Sequence, residues 1–445
     1  MTIYASAADT SPAQDQLEEK RRSAVRGAFL SEFIDMFDIY LPVVVLVPVM
    51  AYFQPSHLEP GVAVILDSLV FITTLLGRPL GALLFGRAAD RIGRRMASIY
   101  SVSGFGIITF LIALLPSYQT IGVSSYLLLV ALRFLDGVCL GGGYTATHPL
   151  AMEYSHKSRR GFVGGLIIAA FPAAYVAISL VAMAMFALFP LDGMASPYAQ
   201  WGWRIPFVIG ALLAGCLALY YVTKVSESEI WQVAARQDRK SRTRGSLFRG
   251  GNGRSLLQVL IMMTGFWTTQ NIITIFMPSV LLPRVLKLSK YELTLTLIVV
   301  YCVLFFSYIG AGLLGQMIGR RRTFLILGPA IATLGVALLY ALANSGGLPL
   351  PLIILLVSLL AVLVTAPWGV IVTYINERFA TDVRATGFGI GFSLSVIIPS
   401  FYAFYLNGLG QFLSADVAPA ALLFIGAVIG TIGAAMGPET RDVDF

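Results

Sequence analysis

A chain of 445 residues that is 57% hydrophobic and only 12% charged has too few charges to keep a folded surface wet. It would expose large apolar patches in water, which excludes a soluble enzyme or binding domain. A bilayer resolves the imbalance: each spanning helix needs roughly 20 apolar residues, and the chain supplies about a dozen such runs. A net charge of +8 would suggest nucleic acid in a soluble domain, but its distribution along this chain is that of membrane topology. Cys139, Cys216 and Cys302 all fall in apolar runs and read as small hydrophobes, with no metal cluster or disulfide framework expected.

In chain order, residues 1–26 read as a polar, disordered tail without the apolar core of a secretory signal. Twelve helices are predicted over 27–52, 62–87, 97–116, 122–149, 161–189, 203–223, 255–282, 291–318, 323–343, 349–375, 386–410 and 416–437. A basic linker, 224–254, separates a six-helix bundle over 27–223 from a second over 255–437, and 438–445 form a short tail. Most of the 31 Lys and Arg residues fall on the face carrying the N-terminus. Arg204, Arg284, Lys287 and Lys290 lie on the opposite face, and Arg78 and Arg133 lie within spans. Basic residues collect in cytoplasmic loops, so both termini and the linker are expected in the cytoplasm of a cell with a bacterial-type inner membrane.

The halves repeat one another. Gly86-x3-Asp90-Arg91-x-Gly93-Arg94-Arg95 follows predicted helix 2, and Gly312-x3-Gln316-x2-Gly319-Arg320-Arg321 follows predicted helix 8, 226 positions later. Glu153-x6-Arg160 recurs as Glu377-x6-Arg384 at an offset of 224. Two independent landmarks at nearly one offset indicate an internal duplication.

The segment from Gly86 to Arg95 resembles the loop 2–3 signature of the major facilitator superfamily, and the resemblance runs from about Arg26 to Arg441. Val225-Ser-Glu227-Ser228-x2-Trp231 and Pro438-Glu439-Thr440 are weaker echoes of it. Gly77-Arg78-Pro79-Leu80-Gly81 resembles the metabolite:H⁺ symporters. Asp35-Met-Phe-Asp38 and Arg133-Phe-Leu-x-Gly137-x3-Gly141-Gly142 resemble the aromatic acid:H⁺ symporters. The resemblance implies an all-α membrane fold of two pseudo-symmetric six-helix bundles, functional as a monomer, importing small organic solutes with protons. In relatives Asp90, Glu153 and Arg160, with Glu377 and Arg384 of the second copy, latch the halves together. Asp136 departs from the neutral residue usual in both families, and Gln316 replaces the aspartate of the second signature, so the second latch is expected to be weaker.

Charges at bilayer depth are costly and usually functional. Glu32, Asp35 and Asp38 recur every three residues, on one broad face of predicted helix 1. Three carboxylates in low dielectric cannot all ionise easily, which suits proton carriers. Asp35 and Asp38, with Asp136 as a third candidate, are assigned to proton coupling. Glu32 is expected to neutralise an arginine, with Arg78 as its partner. Arg133 has two uses open: a switchable partner for Asp35, Asp38 or Asp136, or a fork for a substrate carboxylate. His148 reads as a structural hydrogen-bonding residue, with a proton relay as the alternative.

The second half carries no acidic residue deep in a span, only neutral polar and aromatic groups. Trp267, Gln270, Asn271, Trp368 and Tyr402, with Tyr144 from the first half, are the expected substrate contacts. Gln270-Asn271 stands out, because adjacent amides are costly in lipid unless they face a cavity. The expected activity is alternating-access uptake of a small organic anion, a mono- or dicarboxylate or an aromatic acid, with protons and without a cofactor. The alternatives are a proton-driven exporter of an apolar or cationic compound, uptake of a neutral polyol or sugar, and a transporter-like sensor or membrane enzyme.

Overall fold

Apolar runs interrupted by short Gly- and Pro-bearing turns leave the chain few options but bundled helices, because backbone groups in lipid must be satisfied within the segment. The computed structural model describes residues 12–55, 60–233, 247–248 and 250–445. Its long helices are α1 (Pro12–Leu41, extended by tighter and wider turns to Tyr52), α2 (Pro60–Ile92), α3 (Arg94–Ala113), α4 (Val123–Tyr154), α5 (Arg160–Leu188) and α6 (Arg204–Lys224). The second half repeats the set. It holds α7 (Gly250–Asn271, continued by wide turns to Val285), α8 (Lys290–Ile318), α9 (Arg320–Ala330, continued to Ala343), α10 (Leu350–Thr365 and Trp368–Glu377), α11 (Arg384–Ser393, continued to Leu409) and α12 (Val417–Ala435). Eleven of these segments are long and apolar enough to cross a membrane among the described residues. The exception is α1, whose apolar stretch is broken by Glu32, Asp35 and Asp38; it packs against α4, α5 and α6 as a full member of the first bundle. The protein is a multi-pass membrane protein.

Several boundaries differ from the sequence expectation. Residues 12–26 belong to α1 rather than to a disordered tail. Good helix formers there are tied down by Lys20 to Glu229 at 2.7 Å and by the Arg21 guanidinium donating to the Tyr154 carbonyl at 2.8 Å. Residues 1–11 of the expected tail, and 234–246 and 249 of the expected linker, lie outside the described residues. The linker also loses 250–254 to α7.

A further difference concerns the repeated motif, which is helical almost throughout. Helix α2 runs to Ile92 and α3 begins at Arg94, so Gly93 alone makes the corner, at φ 108°. Gly319 makes the equivalent corner between α8 and α9, also at φ 108°. A Cβ is strained in that conformation, and here it would also collide with a carboxylate, Glu227 at Gly93 and Glu439 at Gly319. These carboxylates cap the helices that follow. Glu227 accepts from the backbone N–H groups of Arg94 and Arg95 at 2.9 and 3.1 Å, and Glu439 from those of Arg320 and Arg321 at 2.7 and 3.1 Å. Burial pushes the Glu227 carboxyl above its ordinary range, against the pull of the N–H groups it accepts from.

Close packing of α2 on α4 positions the site. Gly77 and Gly81 of α2 abut the α4 backbone, and Gly137 and Gly141 of α4 abut that of α2. The contact seats Arg78 and Arg133, which face different surroundings, in the interior of the first bundle.

Candidate functional site

A cavity of about 620 Å³, counted out to solvent, lies between the bundles. Helices α1, α2 and α5 give one wall, with Glu32, Met36, Tyr40, Phe71, Arg78 and Phe171; α7, α8, α10 and α11 give the other, with Trp267, Gln270, Asn271, Tyr308, Trp368 and Phe392. The first wall is charged and the second is neutral and aromatic. Four expected contacts, Trp267, Gln270, Asn271 and Trp368, meet here. Arg133, Tyr144 and Tyr402 are not among the lining residues.

Arg78 is the arginine that reaches the cavity. Its Nη2 donates to Asp35 Oδ1 at 2.6 Å, with both side chains 2% exposed. Its partner is therefore Asp35 and not Glu32, the two carboxylates lying about one turn apart on α1. Glu32 Oε2 instead lies 3.3 Å from His148 Nε2. Several buried atoms around the cavity make no hydrogen bond among the described residues: Asp35 Oδ2, Arg78 Nε, Gln270 Oε1 and Trp368 Nε1. Unpaired buried polar groups are costly and mark a surface built to take a polar ligand. The opposite wall is held rigidly. Trp267 Nε1 donates to the Phe392 carbonyl at 3.1 Å, and Asn271 Nδ2 to the Pro399 carbonyl at 2.8 Å. The Trp267 and Trp368 rings meet edge to face at 4.4 Å, with Phe392 5.4 and 5.9 Å from them.

Arg133 does not reach the cavity and lies inside the first bundle. One nitrogen, Nη1, serves both Asp136 Oδ2 at 2.8 Å and Asp38 Oδ2 at 3.1 Å, and Thr109 donates to Asp38 Oδ1 at 2.7 Å. Two carboxylates share one guanidinium, so one further proton balances the charge of this dry cluster.

The halves are joined on the face where α1 begins, called here the terminal face. Asp90 accepts from the backbone N–H and hydroxyl of Thr386, in the first turn of α11. Arg94 donates to the Thr381 carbonyl at 2.7 Å. Arg384 Nη1 meets Glu153 Oε1 at 2.9 Å, and Arg160 lies 3.9 Å from Glu377. The repeated Glu-x6-Arg motifs thus pair across the seam, each glutamate facing the arginine of the other copy. Within each half the same glutamates also bind Arg94 at 3.3 Å and Arg320 at 3.2 Å. Gln316 accepts from the Gly161 N–H at 3.0 Å, mirroring Asp90 with a neutral group. Gly86 allows the close approach, since a Cβ there would lie 2.8 Å from Thr386 Cα. Arg91 and Arg95 are not in these cross-half pairs; Arg95 donates to the Tyr221 and Val222 carbonyls at the end of α6. Between the seam and the cavity, Tyr144 hydrogen-bonds Ser393 across the halves. Sequence reasoning missed one seam contact: the Phe445 ring lies between the Arg160 and Arg384 guanidiniums, at 3.6 and 3.9 Å.

Comparison with known proteins agrees with this architecture. The family model described as Major Facilitator Superfamily matches residues 28–403. The chain is 30% identical over 433 residues to the proline/betaine transporter of Salmonella typhimurium, covering 95% of this chain and 84% of that one. It is 28% identical over 382 residues to the citrate-proton symporter of Klebsiella pneumoniae, covering 85% and 83%. The proton:xylose symporter XylE, solved with 6-bromo-6-deoxy-D-glucose, superposes with a TM-score of 0.75 at 19% identity, over 95% of this chain and 97% of that one.

Proposed function

We propose that this chain, which belongs to the major facilitator superfamily and is a secondary transporter, carries a small carboxylate-bearing solute into the cell together with protons. It would sit in a bacterial inner membrane with the terminal face cytoplasmic, as the excess of Lys and Arg on that face supports. The observation that carries the reading is Arg78: a buried guanidinium on the cavity wall, held by one aspartate oxygen and facing an aromatic and amide wall.

A substrate carboxylate entering the cavity competes with Asp35 for the Arg78 fork. Gln270 and Trp368 offer an unpaired acceptor and donor to the rest of the molecule. Displacing Asp35 leaves its charge uncompensated, and taking up a proton removes that cost. Asp38 lies one turn along α1, so the same movement is felt at the Arg133 cluster. There Asp38 and Asp136 hold or release a proton according to their grip on the shared nitrogen. In this scheme Arg133 stores the charge balance and Arg78 meets the substrate.

A second reading concerns the solute's other end. Glu32 lines the cavity beside Arg78, Asp35 pairs with that same guanidinium, and Trp267, Trp368 and Phe392 present aromatic surface opposite. That balance favours a zwitterion, with its carboxylate on Arg78 and its ammonium over the aromatic rings. The relative named as a proline/betaine transporter supports it, while the citrate-proton symporter supports a plain organic acid.

Proteoliposomes with an imposed inside-alkaline gradient test both. Glycine betaine, proline, citrate and benzoate are offered separately. Gradient-dependent accumulation of any of them supports symport. Accumulation that ignores the gradient for all four defeats proton coupling, and gradient-driven efflux supports the exporter. Betaine or proline accumulating in preference to citrate and benzoate selects the zwitterion.

A further inference from the structure

We propose that Glu32 and His148 form a proton relay whose two ends open alternately, Glu32 to the cavity and His148 to the terminal face. It rests on the symport reading and adds a route that the Arg133 cluster does not provide. Glu32 lines the cavity. Its Oε2 lies 3.3 Å from His148 Nε2, directly behind it, with the residues 2% and 0% exposed. Neither Glu32 Oε2 nor either His148 nitrogen makes a hydrogen bond with correct geometry among the described residues. An imidazole and a carboxylate buried face to face without other partners are poorly explained as structural glue. They are well placed to pass a proton.

What covers His148 decides the direction. Its ring packs on Tyr144 at 6.2 Å, from its own helix, and edge-on against Phe388 of α11 at 5.3 Å. Phe388 belongs to the other half, as does Ser393, which Tyr144 binds. If the halves part on the terminal face, α11 leaves and takes that cover with it. His148 then meets water from the side opposite the cavity. The pair is thus reached from one side in each state, as a coupled carrier requires.

The steps balance. Cavity water protonates the Glu32 carboxylate while the terminal face is closed. Glu32 passes that proton to His148 Nε2, with His148 already carrying one on Nδ1. On opening, the imidazolium releases the Nδ1 proton to water, and tautomer exchange resets the ring. The charged and titrating neighbours are Asp35 and Arg78, beside Glu32, and Tyr144; from α11 the facing groups are Phe388, Phe392 and Ser393, none of which carries a charge.

The chain has 3 histidines, so ¹⁵N-histidine NMR on the full-length reconstituted protein resolves His148, assigned by its loss in His148→Gln. The relay predicts that this signal responds to pH and that Glu32→Gln, which removes the facing carboxylate, moves that response, while Glu32→Asp moves it less. A His148 signal that does not respond to pH, or one with the same response in Glu32→Gln, overturns the relay. In the transport arm, one proton per solute and one unit of pH gradient support up to about tenfold accumulation. His148→Gln should lose most of that accumulation of the glycine betaine or citrate probe while exchange across the membrane falls much less. Equal loss of both assigns His148 a structural role and overturns the relay. If no probe responds to the gradient in the unmodified protein, the symport reading fails, and the NMR titration still decides whether the pair exchanges a proton.

Discussion

Gly137→Ala isolates the contact that seats both buried arginines. A Cβ built on Gly137 overlaps the Thr74 carbonyl oxygen and lies 2.7 Å from its carbon and 2.8 Å from the Thr74 Cα, inside the 3.0 Å limit of real Cβ contacts. Every obstructing atom is backbone, so no rotamer change relieves the overlap and the α2 and α4 axes must separate. Overpacking of this kind costs about 1–3 kcal/mol, and the absence of a flexible neighbour puts this site at the upper end. Arg78 lies one turn beyond Thr74, so the displacement also disturbs its bond to Asp35. Gly143→Ala, on the same helix, is the control. Its Cβ would meet nothing closer than Ser101 Oγ at 3.6 Å, and alanine gains up to about 1 kcal/mol in helix propensity. Thermal unfolding of the purified variants in detergent measures the difference. Gly137→Ala should unfold at a distinctly lower temperature than the unmodified protein, and Gly143→Ala at an equal or higher one. Equal midpoints for the two variants would refute the packing argument.

Asp38→Asn should abolish most gradient-driven accumulation while keeping a larger share of solute exchange; parallel loss of both would make Asp38 structural. Arg78→Lys replaces a fork by a point charge and gives up one of two charged hydrogen bonds, about 1.5 kcal/mol. Half-saturation for the transported solute should therefore rise about tenfold, and an unchanged value would remove Arg78 from the substrate site. Asp90→Asn and Gly86→Ala both weaken the seam, the first by removing a charge from the N-terminus of α11 and the second by a Cβ 2.8 Å from Thr386 Cα. Spin-label distances between the terminal ends of α2 and α11 should lengthen in both variants, and more than in Gln316→Ala, which removes only a neutral acceptor.

What the sequence made legible was chemistry that recurs locally. The repeated glycine-arginine corner, the Glu-x6-Arg pair and the charged face of α1 are all spacings, and each lands where a helical period puts it. What it hid depends on the third dimension. Arg78 and Arg133 are both single arginines in apolar helices, and only the rotation of α2 against α4 decides which one meets the cavity. Asp35 and Glu32 differ by less than one turn, so exchanging their partners needs no change in sequence pattern. The extension of α2 to Ile92 was hidden because a glycine at positive φ can end one helix and start the next with no polar loop between them. The Phe445 contact joins the last residue of the chain to two helices of different halves, and no local signal announces such a pairing.

The partner swap at the seam explains how a transporter could open a buried ionic interface at tolerable cost. Removing one member of a buried ion pair leaves a stranded charge, typically 3–5 kcal/mol. Here each glutamate has a second arginine in its own half: Glu153 keeps Arg94 at 3.3 Å, and Glu377 keeps Arg320 at 3.2 Å. Hydroxyl donors stay with them as well, from Ser228 to Glu153 and from Thr440 to Glu377. The groups released are Arg384 and Arg160, arginines at the seam that parting would deliver to water. Opening then exchanges a shared carboxylate for hydration of a guanidinium, and no carboxylate is left dry and alone. The seam is also unequal: the Asp90 carboxylate at the start of α11 has only the neutral Gln316 as its counterpart. A seam with one strong contact and one weak one would suit two states close in energy, between which solute and proton binding would decide.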